Sequence, residues 1–115
     1  MNILIIGDTW EFEYIVKDNQ NKIFDFSNYA IRAEIKDNAN NRIKIANSLV
    51  NGGSNTQIYY DNDRLFLIFP LGKTATMISG SAILEVEITS SDGKRYTIIQ
   101  DSYVIKPDLI KWDSV

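Results

Sequence analysis

Ala82-Ile83-Leu84-Glu85-Val86-Glu87-Ile88-Thr89 is followed almost at once by Ser91-Asp92-Gly93-Lys94. Ala82, Leu84, Val86 and Ile88 fall on one side of an extended chain, and Glu85, Glu87 and Thr89 on the other. That period of two is the pattern of a half-buried β-strand. The Asp-Gly pair that ends it is a hairpin signal, because glycine accepts the positive φ that a tight turn requires. Working outward, the same alternation recurs. Tyr29, Ile31, Ala33 and Ile35 oppose Arg32, Glu34 and Lys36; Trp10, Phe12, Tyr14 and Val16 oppose Glu11 and Glu13.

Turn-forming residues separate these runs. Asp18-Asn19-Gln20-Asn21, Asp37-Asn38-Ala39-Asn40-Asn41 and Asp61-Asn62-Asp63 are turns, since Asn and Asp bond to their own backbone and tolerate the left-handed region. Asn51-Gly52-Gly53-Ser54-Asn55 reads as the most flexible loop. Strands are expected near 2–6, 9–17, 23–26, 28–37, 42–50, 56–60, 64–69, 82–90, 94–100 and 102–106, with one short helical turn near 73–78. Short strands with turns every eight to twelve residues predict an all-β antiparallel sandwich or barrel. The chain is the size of one domain, placed at 1–106, with 107–115 as a C-terminal tail that docks.

Composition narrows the chemistry. The 115 residues hold no cysteine and no histidine. A thiol nucleophile, a disulfide, a thiolate metal site, an imidazole base and a Ser-His-Asp triad are therefore excluded for this sequence. The net charge is −3 and the basic residues are scattered, against the clustered lysines and arginines that a phosphate backbone needs. No apolar run approaches the roughly 20 residues of a bilayer-crossing helix. The opening Met1-Asn2-Ile3-Leu4-Ile5-Ile6 lacks the positive start of a secretion signal, so cytoplasmic synthesis is expected. No nucleic-acid partner, membrane, cofactor or metal is expected.

Several local patterns hint at chemistry without carrying it. Glu11/Glu13 and Glu85/Glu87 project two carboxylates from one sheet face, roughly 7 Å apart, a spacing compatible with glycoside hydrolysis. Nothing near them suggests a pocket that would raise one pKa, and solvated strand faces explain them better. Asp61-Asn62-Asp63 lacks the glycine of a calcium loop. Gly72-Lys73-Thr74 lacks the earlier glycine and the βαβ setting of a phosphate loop. Tyr59 and Tyr60, with Tyr96 and Tyr103, offer rings on which a sugar would stack, so a carbohydrate- or receptor-binding module is the alternative reading.

The more informative feature is where alternation fails. Leu65-Phe66-Leu67-Ile68-Phe69 is apolar on both faces, and so is Ile3-Leu4-Ile5-Ile6. If Leu65, Leu67 and Phe69 fill the core, Phe66 and Ile68 point outward, where an antiparallel sheet normally meets water. Such a face is covered by a partner or by part of the same chain. Leu109, Ile110 and Trp112 near the end pose the same question, because burying an aromatic side chain is worth about 1.5–3 kcal/mol. Ile3, Ile5, Phe66, Ile68, Leu109, Ile110 and Trp112 are the expected interface residues. An exposed first strand would also offer its edge for β-augmentation.

The order of these segments resembles the small immunoglobulin-like β-sandwich modules of tailed-bacteriophage virions, found in tail, baseplate and fibre-attachment proteins. Gly7-Asp8-Thr9 matches their G-D-T start, and Phe24-Asp25-Phe26-Ser27-Asn28-Tyr29 their D-L-T-G-Y segment. Ala30 to Asp37 matches a hydrophobic-R-x-x-I-R-D strand, Thr74 to Gly80 a short turn, and Glu85 to Gly93 a D-V-x-I-x-x-x-D-G hairpin. Val104-Ile105 matches the closing strand. Ser81-Ala82 stands where the family often has an aromatic, and Gln100-Asp101 where it often has glycine. The resemblance implies an immunoglobulin-like sandwich of about seven to ten strands. It further implies a non-enzymatic virion protein that docks on other virion proteins and self-associates as a homo-oligomer.

Overall fold

A computed structural model describes residues 3–108. In chain order the elements are β1 (Ile3–Ile5), β2 (Trp10–Ile15), β3 (Ala30–Asp37), β4 (Arg42–Ala46), β5 (Ile58–Asp61), β6 (Arg64–Phe69), α1 (Leu71–Thr74), β7 (Gly80–Thr89) and β8 (Arg95–Lys106). They form two packed sheets, one of five strands ordered β1-β8-β7-β3-β4 and one of three ordered β2-β6-β5. The protein is a mostly-β sandwich. The pairings are antiparallel except β1 with β8, which is parallel, with Ile3, Leu4 and Ile5 opposite Val104, Ile105 and Lys106.

The period-two pattern sets the core. Ile31, Ala33 and Ile35 of β3, Ala82, Leu84, Val86 and Ile88 of β7, and Leu65, Leu67 and Phe69 of β6 are all buried. Their strand neighbours point outward. Phe12 meets Phe69 edge-on, with ring centroids 5.8 Å apart, and Trp10 donates its indole N–H to the Ile5 carbonyl at 2.7 Å. That bond fastens the start of β2 to β1, where the chain crosses from one sheet to the other.

Several sequence expectations need correction. The strand near 23–26 does not form; Ile23 makes a single bridge to Lys17, and Phe24 and Phe26 turn inward as an aromatic plug with Tyr29. The strand expected over 42–50 ends at Ala46, because the buried Asn47 amide bonds elsewhere. Its Oδ1 accepts the Ile31 N–H and its Nδ2 donates to the Tyr29 carbonyl. The segments 94–100 and 102–106 are one strand, with a bulge at Ile98: Val86 faces Ile99 and Glu87 faces Thr97. The helical turn lies at Leu71–Thr74 rather than 73–78, since Pro70, extended at ψ 149°, starts it one residue after β6. The Asn51–Asn55 loop is tightly bonded: Gly53 donates to Val50 and Ser54 to Ala46. A Cβ on Gly53 would sit 1.9 Å from the Asn47 carbonyl oxygen, so no larger residue fits.

Three predicted turns hold as described, with Asn21, Asn40 and Asn62 each at positive φ. The turn after β3 is built on Asp37, only 2% exposed. Its carboxylate accepts the N–H groups of Ala39 and Asn41, the Asn41 side-chain amide and the Ile78 N–H, all at 2.9–3.0 Å. Burial alone would raise the Asp37 pKa, but these donors hold it below the ordinary carboxylate range. Folding therefore gains from the ionised form above the unfolded value near 4, and that gain is lost as pH falls through the depressed folded value. Asp37→Asn points an amide N–H at other donors and is expected to cost about 1–3 kcal/mol at pH 7. Urea unfolding at successive pH values checks it: the gap between the proteins narrows below about pH 4. An equal gap at all pH values contradicts the role given to the charge.

Candidate functional site: two apolar outer faces

The outer face of the three-stranded sheet is built by the outward residues of β2, β6 and β5. Register places Glu11 opposite Ile68, Glu13 opposite Phe66, and Tyr59 opposite Phe66. Phe66 and Ile68 point outward from β6 and are half-buried. The Tyr59 ring stacks on Phe66 with centroids 4.7 Å apart and planes 14° apart. Glu13 is held by Arg64 at 2.5 Å, whereas Glu11 makes no ion pair among the described residues. The result is an aromatic and aliphatic centre with a carboxylate border along β2. β1 lies in the other sheet, so it does not fold back over this face. Leu109, Ile110 and Trp112 lie outside the described residues.

A second apolar patch occupies the outer face of the larger sheet. With Leu4 and Ile105 turned inward, Ile3, Ile5 and Val104 face out, and Ile3 stands directly beside Val104. Ile83 lies one strand over, diagonal to Val104 and opposite Lys36. Ile83 is 41% exposed and Val104 45% exposed. Lys36, Lys106 and Glu85 border the patch, and none of the three makes an ion pair among the described residues. Ile83 and Val104 were missed in reading the sequence. Their signal was present: each is an apolar residue at an outward position of a strand whose other outward positions are mostly polar.

The remaining candidates resolve into structure. Glu34 and Glu85 stand directly opposite each other on the larger sheet, an unfavourable pair of like charges. Arg42 donates to Glu34 at 3.1 Å and the Gln100 amide to Glu85 at 2.9 Å, which offsets the repulsion. No group of three or more potential metal ligands occurs among the described residues. Thr74 is fully buried, with its hydroxyl donating to the Asp8 carbonyl at 2.6 Å, so the Gly72-Lys73-Thr74 letters serve a turn-to-loop tie. Tyr59 and Tyr60 border a groove of about 410 Å³ with Phe26, Ser48 and Asn55. They project from opposite faces of β5, and each spends one ring face on a neighbour, Tyr59 on Phe66 and Tyr60 on Phe26.

Tyr103 has another task. Asp101 and Tyr103 point inward from β8, opposite Leu84 and Ala82, and meet Tyr14 of β2 where the sandwich is open at its side. The two phenol oxygens are 2.7 Å apart, and both lie 3.2 Å from Asp101 Oδ2. Burial raises the pKa of both phenols, and the neighbouring Asp101 carboxylate adds to the shift. The cluster is a polar latch between the sheets. Tyr14→Phe removes one donor from a part-buried carboxylate and is expected to cost about 1–2 kcal/mol in urea unfolding; an unchanged midpoint would mean that water replaces the hydroxyl without loss. No helix among the described residues is long and apolar enough to cross a membrane. No protein-family model matches the chain, and a search of curated proteins finds no match.

Proposed function

We propose that the chain is a non-enzymatic docking module of a tailed-bacteriophage virion, acting through contacts with other virion proteins and with its own copies. The observation that carries the docking part is the two-sided β6: Leu65, Leu67 and Phe69 seal the core, while Phe66 and Ile68 point the other way, half-buried, on an apolar outer face beside the exposed Tyr59. An apolar centre inside a charged border is the anatomy of an interface rather than of a solvated sheet.

The virion setting rests on the family resemblance alone; the strand order is in keeping with the immunoglobulin-like fold which that resemblance implies. In an immunoglobulin-like sandwich the B, E and D strands neighbour one another, as do G, F and C. Here β2-β6-β5 and β8-β7-β3 run in those orders, with β4 extending the second sheet. The inter-sheet disulfide of antibody domains has no counterpart in a chain without cysteine. The non-enzymatic part rests on the missing histidine and cysteine and on carboxylates that face outward or bond structurally. Sugar binding at Tyr59 and Tyr60 is the weaker alternative, because their rings form no common platform. Mass spectrometry and antibody labelling of purified particles from the encoding phage test the proposal. The chain is expected in the particle at a fixed position and at a multiple of the particle's symmetry. Its absence from particles, or a glycan array with strong hits removed by Tyr60→Ala, contradicts it.

A further inference from the structure

The two apolar faces lie on opposite sides of the sandwich, and their mixed borders differ in net sign: Glu11, Glu13 and Arg64 on the small sheet, Lys36, Lys106 and Arg42 against Glu34 and Glu85 on the large one. On the small sheet, Phe66 and Ile68 are flanked by Glu11, which has no ion partner among the described residues, and by Glu13, which Arg64 already holds. On the large sheet, Ile83 and Val104 are flanked by Lys36 and Lys106, which have no ion partners among the described residues, by Glu85, which takes the Gln100 amide, and by Glu34, which Arg42 holds. A two-fold contact of the small sheet with itself would bring its own carboxylates together on a chain that is already net negative. A contact between the small sheet of one copy and the large sheet of the next would set the net-negative border against the net-positive one, with Lys36 and Lys106 supplying the ammonium groups.

We propose that the occupant of the Phe66–Ile68 face is the Ile83–Val104 face of a second copy, so that the chain stacks head to tail. This rests on the docking reading above and adds the partner, the second surface and the symmetry. A head-to-tail contact is heterologous: it closes into a ring if the rotation between copies permits and otherwise continues as a filament. The small sheet spans three strands about 4.8 Å apart and six residues at about 3.4 Å each, a footprint on the order of 300 Å². That is well below the roughly 800 Å² per partner of a stable pair. Each contact is therefore weak, and only closure into a ring, which makes the last contact intramolecular, adds strength.

Sedimentation velocity of the full chain from about 10 µM to about 1 mM tests this. The average mass is expected to rise past that of a dimer, and to fall back when salt screens the charges. Phe66→Ser with Ile68→Ser blocks one face, and Ile83→Ser with Val104→Ser blocks the other. Each variant alone is expected to stay monomeric. Mixed in equal amounts they are expected to form a two-chain species and nothing larger, because each supplies the one intact face the other needs.

If a serine variant fails to fold by circular dichroism, charge reversal replaces it. Glu11→Lys is expected to weaken association about tenfold, and Lys36→Glu with Lys106→Glu in the mixed partner to restore it. A large-sheet variant that still dimerises alone overturns the head-to-tail contact and leaves the small-sheet docking face standing. Wild-type chain that remains monomeric throughout overturns self-stacking, while docking on a different virion protein is judged by the particle experiment. Charge reversal without effect or rescue overturns the pairing of borders.

Discussion

The buried core shared by the inward side chains of β6 and those of the five-stranded sheet holds the two layers together. Leu65, Leu67 and Phe69 are 0% exposed, and so are Ile31, Ile35, Leu84 and Val86 across from them. Because side chains alternate strictly, a one-residue slip of β6 would exchange this set for Arg64, Phe66 and Ile68. Arg64 cannot enter that core, so the register is fixed. The same alternation then forces Phe66 and Ile68 outward. The apolar outer face is thus a consequence of a sequence that is hydrophobic at both parities, and no rearrangement of the sandwich hides both sides of β6.

Five strands facing three leave edges and a side to manage. β1 is three residues long and β5 four; β4 carries outward Arg42 and Lys44; and β2 carries Glu11 and Glu13. β8 has a bulge at Ile98 and an inward-pointing Asp101, held by the two tyrosines. Short length, charge, bulges and inward carboxylates are the devices by which natural sheets discourage edge pairing. Association by adding strand to strand is disfavoured at each of these edges, including the first strand, whose inner edge is already paired in parallel with β8. What the edges discourage, the two faces permit.

Much of this was legible in the sequence. The alternating runs at 29–36 and 82–89, the Asp-Gly hairpin and the asparagine turns announced their structures through local chemistry. So did the two-sided β6. The misses involved tertiary partners. Nothing local says that Phe24 and Phe26 should plug an end of the sandwich rather than extend as a strand. The strand break expected between 100 and 102 does not occur, because Tyr14, far away in sequence, joins Tyr103 in turning Asp101 into an inward-facing, hydrogen-bonded group. Gly52-Gly53 read as freedom, yet Gly53 is required by the close approach of the Asn47 carbonyl. The patch of Ile3, Val104 and Ile83 joins residues about a hundred positions apart. It becomes visible only once β1 is seen to run parallel to β8.

The central claim is that association uses the two sheet faces and spares the edges. Amide shifts of uniformly labelled chain, followed by NMR from dilute to concentrated solution, test it most directly. The largest changes should fall at Glu11, Tyr59, Phe66 and Ile68 on one face and at Ile3, Lys36, Ile83 and Val104 on the other. Changes concentrated along the β4 edge from Arg42 to Ala46, or on one face alone, would contradict it.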